Sequence, residues 1–503
     1  MKLLIVENPR PLTIEHYNDV ANAPLSASLN SGYALAVARR AGWDAAYLDF
    51  SAATLDAAGM TALILAEEAD LILFHWVYSW GHEQTVRDML GLLRRESPAA
   101  IGAFGLFPTL SRQRLMEYAP GLDFILCGEF EDTLSELLQS FGEKGALPTL
   151  PTLPGICPHD GEFVPRPLIG DLARLPVPDD VGANRGYRSL NIAASRGCHG
   201  SCSFCFIHQF YGCARRRVRP VASLEQELDT RLARRSIDSL YFIDPSFIGQ
   251  GSKERERVVA ISRLAQERRL PFGFETRVDS IDAELLAILA KNGASSVFLG
   301  IESGCDAVLK RVGKRVSKVQ VSNAVRIVQD SGVQLTIGFI MFEPDTTLPE
   351  LAENYAFLEE LGLLSDHDLT ANLLYHNQIV LYGSTAWERF QREERLVLDA
   401  RLPFEARYRF RDERVGQVCA AMGRLAAAYF KGMDEIRRAT SRSGSDGCLG
   451  GECAIPPHIN GAELNLLLKE AFREFCSVAT NSTPRQLSGV EGRYLRQLRG
   501  IIR

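Results

Sequence analysis

Over the first 145 residues, short apolar runs alternate with stretches whose apolar residues recur at helical spacing. Lys2 to Glu7 (KLLIVE) reads as a buried strand, and Leu29 to Gly42 as a helix with a Ser/Asn start and a Gly stop. Ala45 to Phe50 and Ala69 to Phe74 read as the next strands, followed by a helix over Glu83 to Arg95. Strands at Ala99 to Ala103 and Asp123 to Cys127 and a helix at Glu131 to Phe141 complete the unit. Strands that cross over through helices make a parallel sheet, so residues 1–145 are predicted to be a doubly wound, Rossmann-like α/β domain. Ligands on such sheets lie at the carboxyl ends of the strands, here near Asn8, His75 and Gly102 to Thr109.

Between residues 148 and 178 stand eight of the chain's 23 prolines. Proline lacks the amide proton that a helix interior or a central strand needs, so residues 146–185 are predicted to be a linker on the surface. From residue 186 to 395 the alternation resumes. Strands are expected at SLNIAAS, SLYFIDPS, FGFETR, SVFLGIES and LTIGFIMFE, with a last one near Leu373 to Leu381. Helices are expected near Leu224 to Arg234 and Lys253 to Arg268, and from Asp282, Lys318 and Leu348. Six strand-helix repeats are too few for a closed eight-fold barrel and predict a partial (β/α)6 TIM barrel. Residues 396–503 are mostly helical in pattern, as at Val415 to Tyr429 and Glu463 to Phe475, and are interrupted by SRSGSDGCLGGEC. This region is expected to cover the barrel's open side.

The 503 residues include 56 Lys+Arg and 62 Asp+Glu, a net charge of −6. A charge that small over so long a chain gives no field to draw the protein to a nucleic acid or an anionic membrane, and favours a small-molecule substrate over a polymer. The opening MKLLIVENPR lacks the apolar core of a secretory signal, and no run approaches the roughly 18 apolar residues of a spanning helix. A cytoplasmic location is expected. The densest basic run, Arg215-Arg216-Arg217-Val218-Arg219, reads either as a solvated helix entry or as a docking point for an anionic electron donor such as flavodoxin or ferredoxin.

Eleven cysteines in a reducing compartment call for a purpose other than disulfides. Three stand in Arg196-Gly197-Cys198-His199-Gly200-Ser201-Cys202-Ser203-Phe204-Cys205, at the end of the second unit's first strand. This spacing fits an iron-sulfur cluster held by three thiolates, with one iron left open to an exogenous ligand. It also admits a zinc site completed by His199, His208 or Cys213, or a redox pair formed by Cys202 and Cys205. Cys448 and Cys453, followed by His458, read as loop thiols or as part of a second metal clamp that two cysteines do not complete, and Cys213 and Cys305 as buried thiols or as hydrogen donors to a substrate radical.

CxxxCxxC with an aromatic residue before the last cysteine resembles the radical S-adenosylmethionine superfamily over about residues 185–395. The resemblance implies a [4Fe–4S] cluster on Cys198, Cys202 and Cys205. It implies S-adenosylmethionine on the fourth iron and its reductive cleavage to a 5′-deoxyadenosyl radical that abstracts a substrate hydrogen. It further implies that Phe204, Asp244, Arg277, Glu302 and Gly338 line the S-adenosylmethionine pocket. Within that pocket Glu302 would meet the ribose hydroxyls or the amino group, and Arg277 the carboxylate; the plain structural alternative for both is a surface ion pair. The segment Gly338 to Thr346 resembles the family's fifth strand, with the usual Gly-Pro-Gly-Glu-Thr ending altered to Glu-Pro-Asp-Thr. Tyr382-Gly383-Ser384-Thr385 stands where the family has a turn at its last strand.

The first domain resembles that of the superfamily's cobalamin-binding branch. Gly102 to Thr109 occupies the place of the Gly-rich turn, and Asp123 to Glu131 that of a D-x-h-h-x-G-E-x-E ending. The resemblance implies cobalamin held near His75, Gly102, Gly105 and Thr109. There is no D-x-H-x-x-G motif to supply a histidine to cobalt, and His75-Trp76 is bulkier than the usual Ser or Thr. The implied activity is cobalamin-dependent C-methylation of a small molecule of the natural-product type. The alternatives are a cobalamin-independent radical dehydration, deoxygenation or epimerisation of a sugar or aminoglycoside, and a non-catalytic iron-sulfur or zinc scaffold.

Overall fold

The computed structural model describes residues 1–9, 28–51, 53, 55–77, 83–144, 153–159, 161–181, 187–399, 402–442, 459–481 and 484–502. The first sheet is built from β1 (Lys2–Glu7), β2 (Asp44–Asp49), β3 (Leu71–His75), β4 (Ala100–Phe104), β5 (Phe124–Leu126) and β6 (Ile156–Pro158) in the spatial order β2-β1-β3-β4-β5-β6. The first five strands are parallel and β6 runs antiparallel to β5. Helices α1 (Leu29–Arg40) and α5 (Glu131–Lys144) cover one face, over Leu3, Ile5, Leu73 and Phe124. The other face carries α2 (Ala57–Leu65), α3 (Glu83–Glu96) and α4 (Leu106–Tyr118), over Leu4, Val6, Ile72 and Ile101. Strand order reverses between β1 and β3, so a crevice opens at the ends of these two strands.

The apolar alternation predicts β1 to β5 within two residues. It misses α2 and α4, the first because ALIL reads as a bare apolar run, the second because its opening turn reads as a loop. The proline-rich segment differs most from expectation. Ile156, Cys157, Ile169, Leu172 and Val181 are buried, so it packs into the fold. Pro158 is tolerated because β6 is an edge strand.

The second sheet has the order β13-β12-β11-β10-β7 and is parallel throughout. Its strands are β7 (Ser189–Ile192), β10 (Ser239–Phe242), β11 (Phe272–Arg277), β12 (Ala294–Glu302) and β13 (Gln334–Phe339). Between β7 and β10 lie the two-residue strands β8 (Ser195–Arg196) and β9 (Arg217–Val218), paired antiparallel, the short α6 (Ile207–Phe210) and α7 (Val221–Arg234). The crossovers continue with α8 (Ser252–Glu267), α9 (Ala283–Lys291), α10 (Asp306–Arg311), α11 (Lys318–Ser331) and α12 (Leu348–Glu360). Ser317 and Thr347 start α11 and α12 with capping boxes, each satisfying two otherwise unpaired amides.

The sixth repeat is reduced. Leu373 to Tyr375 end α13 (His367–Tyr375), capped by Asp366, and only Asn377 bridges Phe342 in the parallel direction. The short strand β14 (Val380–Leu381) turns away to a three-stranded antiparallel sheet with β15 (Leu396–Asp399) and β16 (Leu402–Tyr408), after α14 (Thr385–Arg392). This small sheet was not expected in the C-terminal region. The rest is helical as expected: α15 (Glu413–Arg442), α16 (Gly461–Asn481) and α17 (Pro484–Ile502) pack together and against α13. Asp345, just past β13, accepts from Arg395 at 2.6 Å and from Arg389, tying the C-terminal region to the barrel. Cys448, Cys453 and His458 lie outside the described residues.

Candidate active site

At the crevice of the first sheet, His75 Nδ1 lies 2.8 Å from Glu7 Oε1 and 3.2 Å from Ser28 Oγ. An ionised carboxylate only accepts, so Nδ1 is the donor there, and Nε2 faces Asn30 Nδ2 at 3.3 Å. Ser31 Oγ also donates to Glu7, at 2.5 Å. His75 is therefore a buried, hydrogen-bonded side chain set by its neighbours. Beside it, Asn8 is 2% exposed, and among the described residues neither polar atom of its amide has a hydrogen-bond partner. An amide buried in this way costs about 1–3 kcal/mol unless something else meets it, which marks the end of β1 as a surface built for a ligand.

Gly105 starts α4 at φ +114°, and a Cβ there would stand 3.1 Å from the His75 ring, so only glycine suits the turn. Thr109 donates to Gly105 O at 2.7 Å and accepts from Gly128 N at 2.9 Å, locking the turn to the end of β5. Gly102 plays a different part from the one expected. A Cβ there would collide with the Phe124 ring at 2.5 Å, within the core, so its role lies in packing. The residues of this crevice fit a large amide-bearing ligand: an unpartnered amide, small residues at the turn, and a hydrogen-bonded histidine. Cobalamin has amide side arms of that kind.

The end of β5 reaches the second sheet. Glu129 accepts from Arg217 Nη1 and Nη2 at 2.7 and 2.9 Å, from Arg196 Nη1 at 2.9 Å and from Ile169 N at 2.7 Å; Glu131 pairs with Arg196 as well. These arginines and carboxylates are buried or nearly so. Four attractions outweigh burial and hold the Glu129 carboxyl below its ordinary range. Arg196 is two residues from Cys198, so this clasp fixes the cysteine loop to the first sheet.

The loop itself requires two glycines. Gly197 has φ +85°, and a Cβ there would be 2.2 Å from Arg215 O; a Cβ on Gly200 would be 2.5 Å from Arg277 Nη1. Gly200 N donates to Cys198 Sγ at 3.3 Å, and Arg277 Nη1 reaches Cys202 Sγ at 3.8 Å. Burial, with Cys202, Cys198 and Glu302 close by, pushes the Cys205 thiol up to about 12. The three sulfurs thus feel one another, and the pocket leaves Cys205 a thiol until a metal takes its proton's place. Among the described residues no three His, Cys, Asp or Glu side chains converge on a single ion as placed. The donor set of three thiols on one short loop, with the cations Arg277 and Lys314 beside Cys202, fits a cluster bound through three thiolates. Of the candidates for a fourth zinc ligand, His199 leans on Asp279 at 3.5 Å, His208 lies 3.5 Å from Thr385 Oγ1, and Cys213 is a half-buried free thiol.

Around the loop stand the expected strand ends. Glu302, at φ +64°, folds its carboxylate back over Gly300 to Lys314 Nζ at 2.8 Å. Arg277 is held by Asp279 Oδ1 at 2.9 Å and Lys314 O at 2.9 Å. Both are buried, at 8% and 6% exposure, so neither is a surface ion pair. Burial would raise the Asp279 carboxyl, but hydrogen bonds from His199 and Arg277 outweigh it and hold it well below the carboxylate range. Asp244 serves elsewhere than expected, since its oxygens accept from Ala194 N at 2.9 Å and from Ser195 Oγ, bracing the start of the loop. Phe204 packs on Cys305, Val308 and Val312, which makes Cys305 a core thiol. Gly338 faces Gly300 across β12 and β13, and a Cβ on it would touch the Phe298 ring at 3.0 Å.

The start of α14, at the end of the barrel unit, reaches the loop. Gln209 Nε2 donates to Thr385 Oγ1 at 2.7 Å, and Ala386 N to Ser203 O at 2.9 Å. The basic run does not form a solvated face. Arg216 pairs with Glu254, Arg217 with Glu129, and Arg219 with Glu227, and little of any of these three arginine side chains is exposed. Arg215 is left as the run's exposed arginine. Sequence reasoning marked Asn8 only as a strand end near which a ligand would lie, and missed Asp279 and Lys314, since no spacing rule marks a pair of loop charges.

The radical SAM superfamily's sequence profile matches residues 192–358, and that of the B12 binding domain residues 27–138. A B12-binding domain thus stands ahead of a radical SAM domain in this chain. Among curated relatives, the chain is 30% identical over 291 residues to 4′-phospho-dehydrooxetanocin synthase of Priestia megaterium (52% of this chain, 38% of that one). It is 29% identical over 241 residues to hopanoid C-3 methylase of Methylococcus capsulatus (46% and 45%), and 25% identical over 271 residues to an uncharacterized methyltransferase of Pyrococcus horikoshii (51% and 56%). The matches span less than two thirds of each of these relatives. Among solved structures, the cobalamin-dependent S-adenosylmethionine radical enzyme OxsB with aqua-cobalamin bound has a TM-score of 0.74 at 20% identity, covering 99% of this chain and 75% of that one. The radical S-adenosylmethionine methyltransferase TsrM from Kitasatospora setae has a TM-score of 0.62 at 16% identity, covering 99% of both. At these identities the likeness is one of fold.

Proposed function

We propose that this chain is a cobalamin-dependent radical S-adenosylmethionine enzyme acting on a small molecule, with C-methylation as its reaction. The observation that carries the reading is the clasp of Arg196 and Arg217 on Glu129 and Glu131, which joins a three-thiol loop to the end of a B12-type sheet. Two cofactor sites built separately would not need it. When bound, a [4Fe–4S] cluster and S-adenosylmethionine supply a 5′-deoxyadenosyl radical, and cobalamin supplies a transferable methyl group. The chain's own residues do the holding. Cys198, Cys202 and Cys205 are the cluster ligands. Arg277 and Lys314 offset thiolate charge, and Glu302 and Gly338 line the S-adenosylmethionine pocket. Asn8, His75, Gly105 and Thr109 shape the corrin crevice. The C-terminal region is fastened to the barrel through Arg411 and Asp345, and Thr385 of α14 meets the loop at Gln209.

Names among the relatives, a C-3 methylase and an uncharacterized methyltransferase, support methyl transfer. The synthase of Priestia megaterium, not named as a methyltransferase, supports a second reading: the same radical step without methyl transfer, in making a secondary metabolite. Among the described residues no helix is long and apolar enough to cross a membrane. An electron donor of the flavodoxin or ferredoxin type completes the scheme, and with the basic run spent in buried pairs, it would dock elsewhere. Anaerobic incubation with S-adenosylmethionine, reductant and a substrate panel tests the proposal. Release of 5′-deoxyadenosine with a methylated product is expected; 5′-deoxyadenosine with an unmethylated product selects the second reading.

A further inference from the structure

The inner wall of the barrel carries a half-buried carboxylate, Glu275. Along β11, Phe272 and Phe274 point into the core between sheet and helices, so Gly273, Glu275 and Arg277 point to the opposite, inner face. Glu275 is paired in register with Phe298 of β12, and its Oε1 accepts from the Tyr241 hydroxyl of β10 at 3.3 Å. The Tyr241 ring lies across Gly273, where a Cβ would come within 2.8 Å of it. Glycine at that position lets the ring lie flat and deliver its hydroxyl to the carboxylate.

Five buried acids in this chain face cations: Glu302 faces Lys314, Glu343 faces Arg311, Asp345 faces Arg395, Glu129 faces Arg217 and Glu227 faces Arg219; buried Asp244 instead accepts from Ala194 N and Ser195 Oγ. Among the described residues, Glu275 has no cation beside it, and the charged group that acts on it is the like-charged Asp244. Burial accordingly pushes its carboxyl up to about 7. A half-buried carboxylate on an inner wall, oriented by one phenol and lacking a counter-ion, is complementary to a ligand that brings the positive charge with it.

We propose that Glu275 and Tyr241 form the polar end of the substrate pocket and that the substrate presents a protonated amine to this carboxylate. This deepens the proposed function and rests on it, since it takes the barrel interior as the place where substrate binds. Glu275 lies two residues before Arg277 on the same face of β11, one step further from the strand's carboxyl end. The amine site is therefore separate from the place assigned to S-adenosylmethionine.

The test uses cyclohexylammonium against its neutral, shape-matched counterpart cyclohexanol. Binding is measured by calorimetry to the anaerobically reconstituted protein with S-adenosylmethionine saturating. The wild-type protein is expected to prefer the ammonium by about tenfold or more, the range of one charge-assisted hydrogen bond. Glu275→Gln is expected to bring the two probes to within about twofold, while Tyr241→Phe keeps the preference and weakens ammonium binding. Equal binding of the two probes by the wild-type protein would overturn the inference. So would a preference that survives in Glu275→Gln, or displacement of the ammonium by S-adenosylmethionine, which would make that cofactor's own cation the partner. Thermal unfolding of each variant shows that it is folded. The assay requires no turnover, so its outcome is independent of whether the wild-type protein releases 5′-deoxyadenosine.

Discussion

The two strand-end sites share a construction and differ in their electrostatics. Each lies at the carboxyl ends of parallel strands and needs a glycine turn, Gly105 in one and Gly197 in the other. Yet the barrel site surrounds its thiols with charged groups, Arg277, Lys314, Asp279 and Glu302, whereas among the described residues the first-sheet crevice sets the carboxylate of Glu7 among hydroxyls, amides and an imidazole. The difference follows the ligands each would take. Thiolates and an amino acid carboxylate carry charge that must be offset in a low dielectric, and a corrin presents chiefly amides and an apolar rim.

The largest effect expected belongs to the charged site. Cys202→Ser should abolish the cluster's absorbance after reconstitution and reduce 5′-deoxyadenosine to background; a variant that keeps both would remove the three-thiol site from the account. Next comes the clasp between the sites. Arg217→Met leaves the buried Glu129 with half of its counter-charge and should cost about 3–5 kcal/mol in urea unfolding. A loss below about 1 kcal/mol would mean that the two regions are merely adjacent.

The neutral site should answer in the opposite sense. Asn8→Leu removes an unpartnered amide, so the cofactor-free protein should be equally stable or gain about 1–3 kcal/mol, while retention of cobalamin on a desalting column falls. If stability fell and cobalamin stayed, Asn8 would be a structural residue. The smallest effect concerns the inner wall. The folded Glu275 titrates near 7, above its ordinary 4.5, so between those values the native state holds more protons than the unfolded one. Stability therefore drops as pH rises from 5 to 8, and Glu275→Gln should remove about 1–2 kcal/mol of that drop in parallel unfolding titrations.

What could be read from the chain depends on the kind of signal each feature leaves. β1 was legible to the residue because Lys2–Glu7 is buried on both faces and reads as an unbroken apolar run. The cysteine loop was legible because a cluster needs several like donors within one short segment. The sixth strand was misread because Leu373 to Tyr375 is a short apolar run that suits a strand or a buried helix, and the Asp366 cap decides for the helix. The proline-rich segment was misread because an edge strand such as β6 needs hydrogen bonds on one side alone. The basic run was misread for a more general reason. Arg216, Arg217 and Arg219 owe their burial to Glu254, Glu129 and Glu227, which are far away in sequence or hidden on another face, and no local pattern shows a partner at such a distance. Asp244 and Gly102 sit where the family's pattern points, but their surroundings give them bracing and packing roles that only the fold reveals.

The central claim is that the charged site and the neutral one hold two metal centres in one clasped unit. Elemental analysis of iron and cobalt in the anaerobically reconstituted, desalted protein, with its absorbance spectrum, tests it most directly. The account predicts about four irons and about one cobalt per chain, with cobalt lost in Asn8→Leu and iron lost in Cys202→Ser. Iron without cobalt in the wild-type protein would contradict it, leaving a radical site beside a B12-type fold that no longer holds its cofactor.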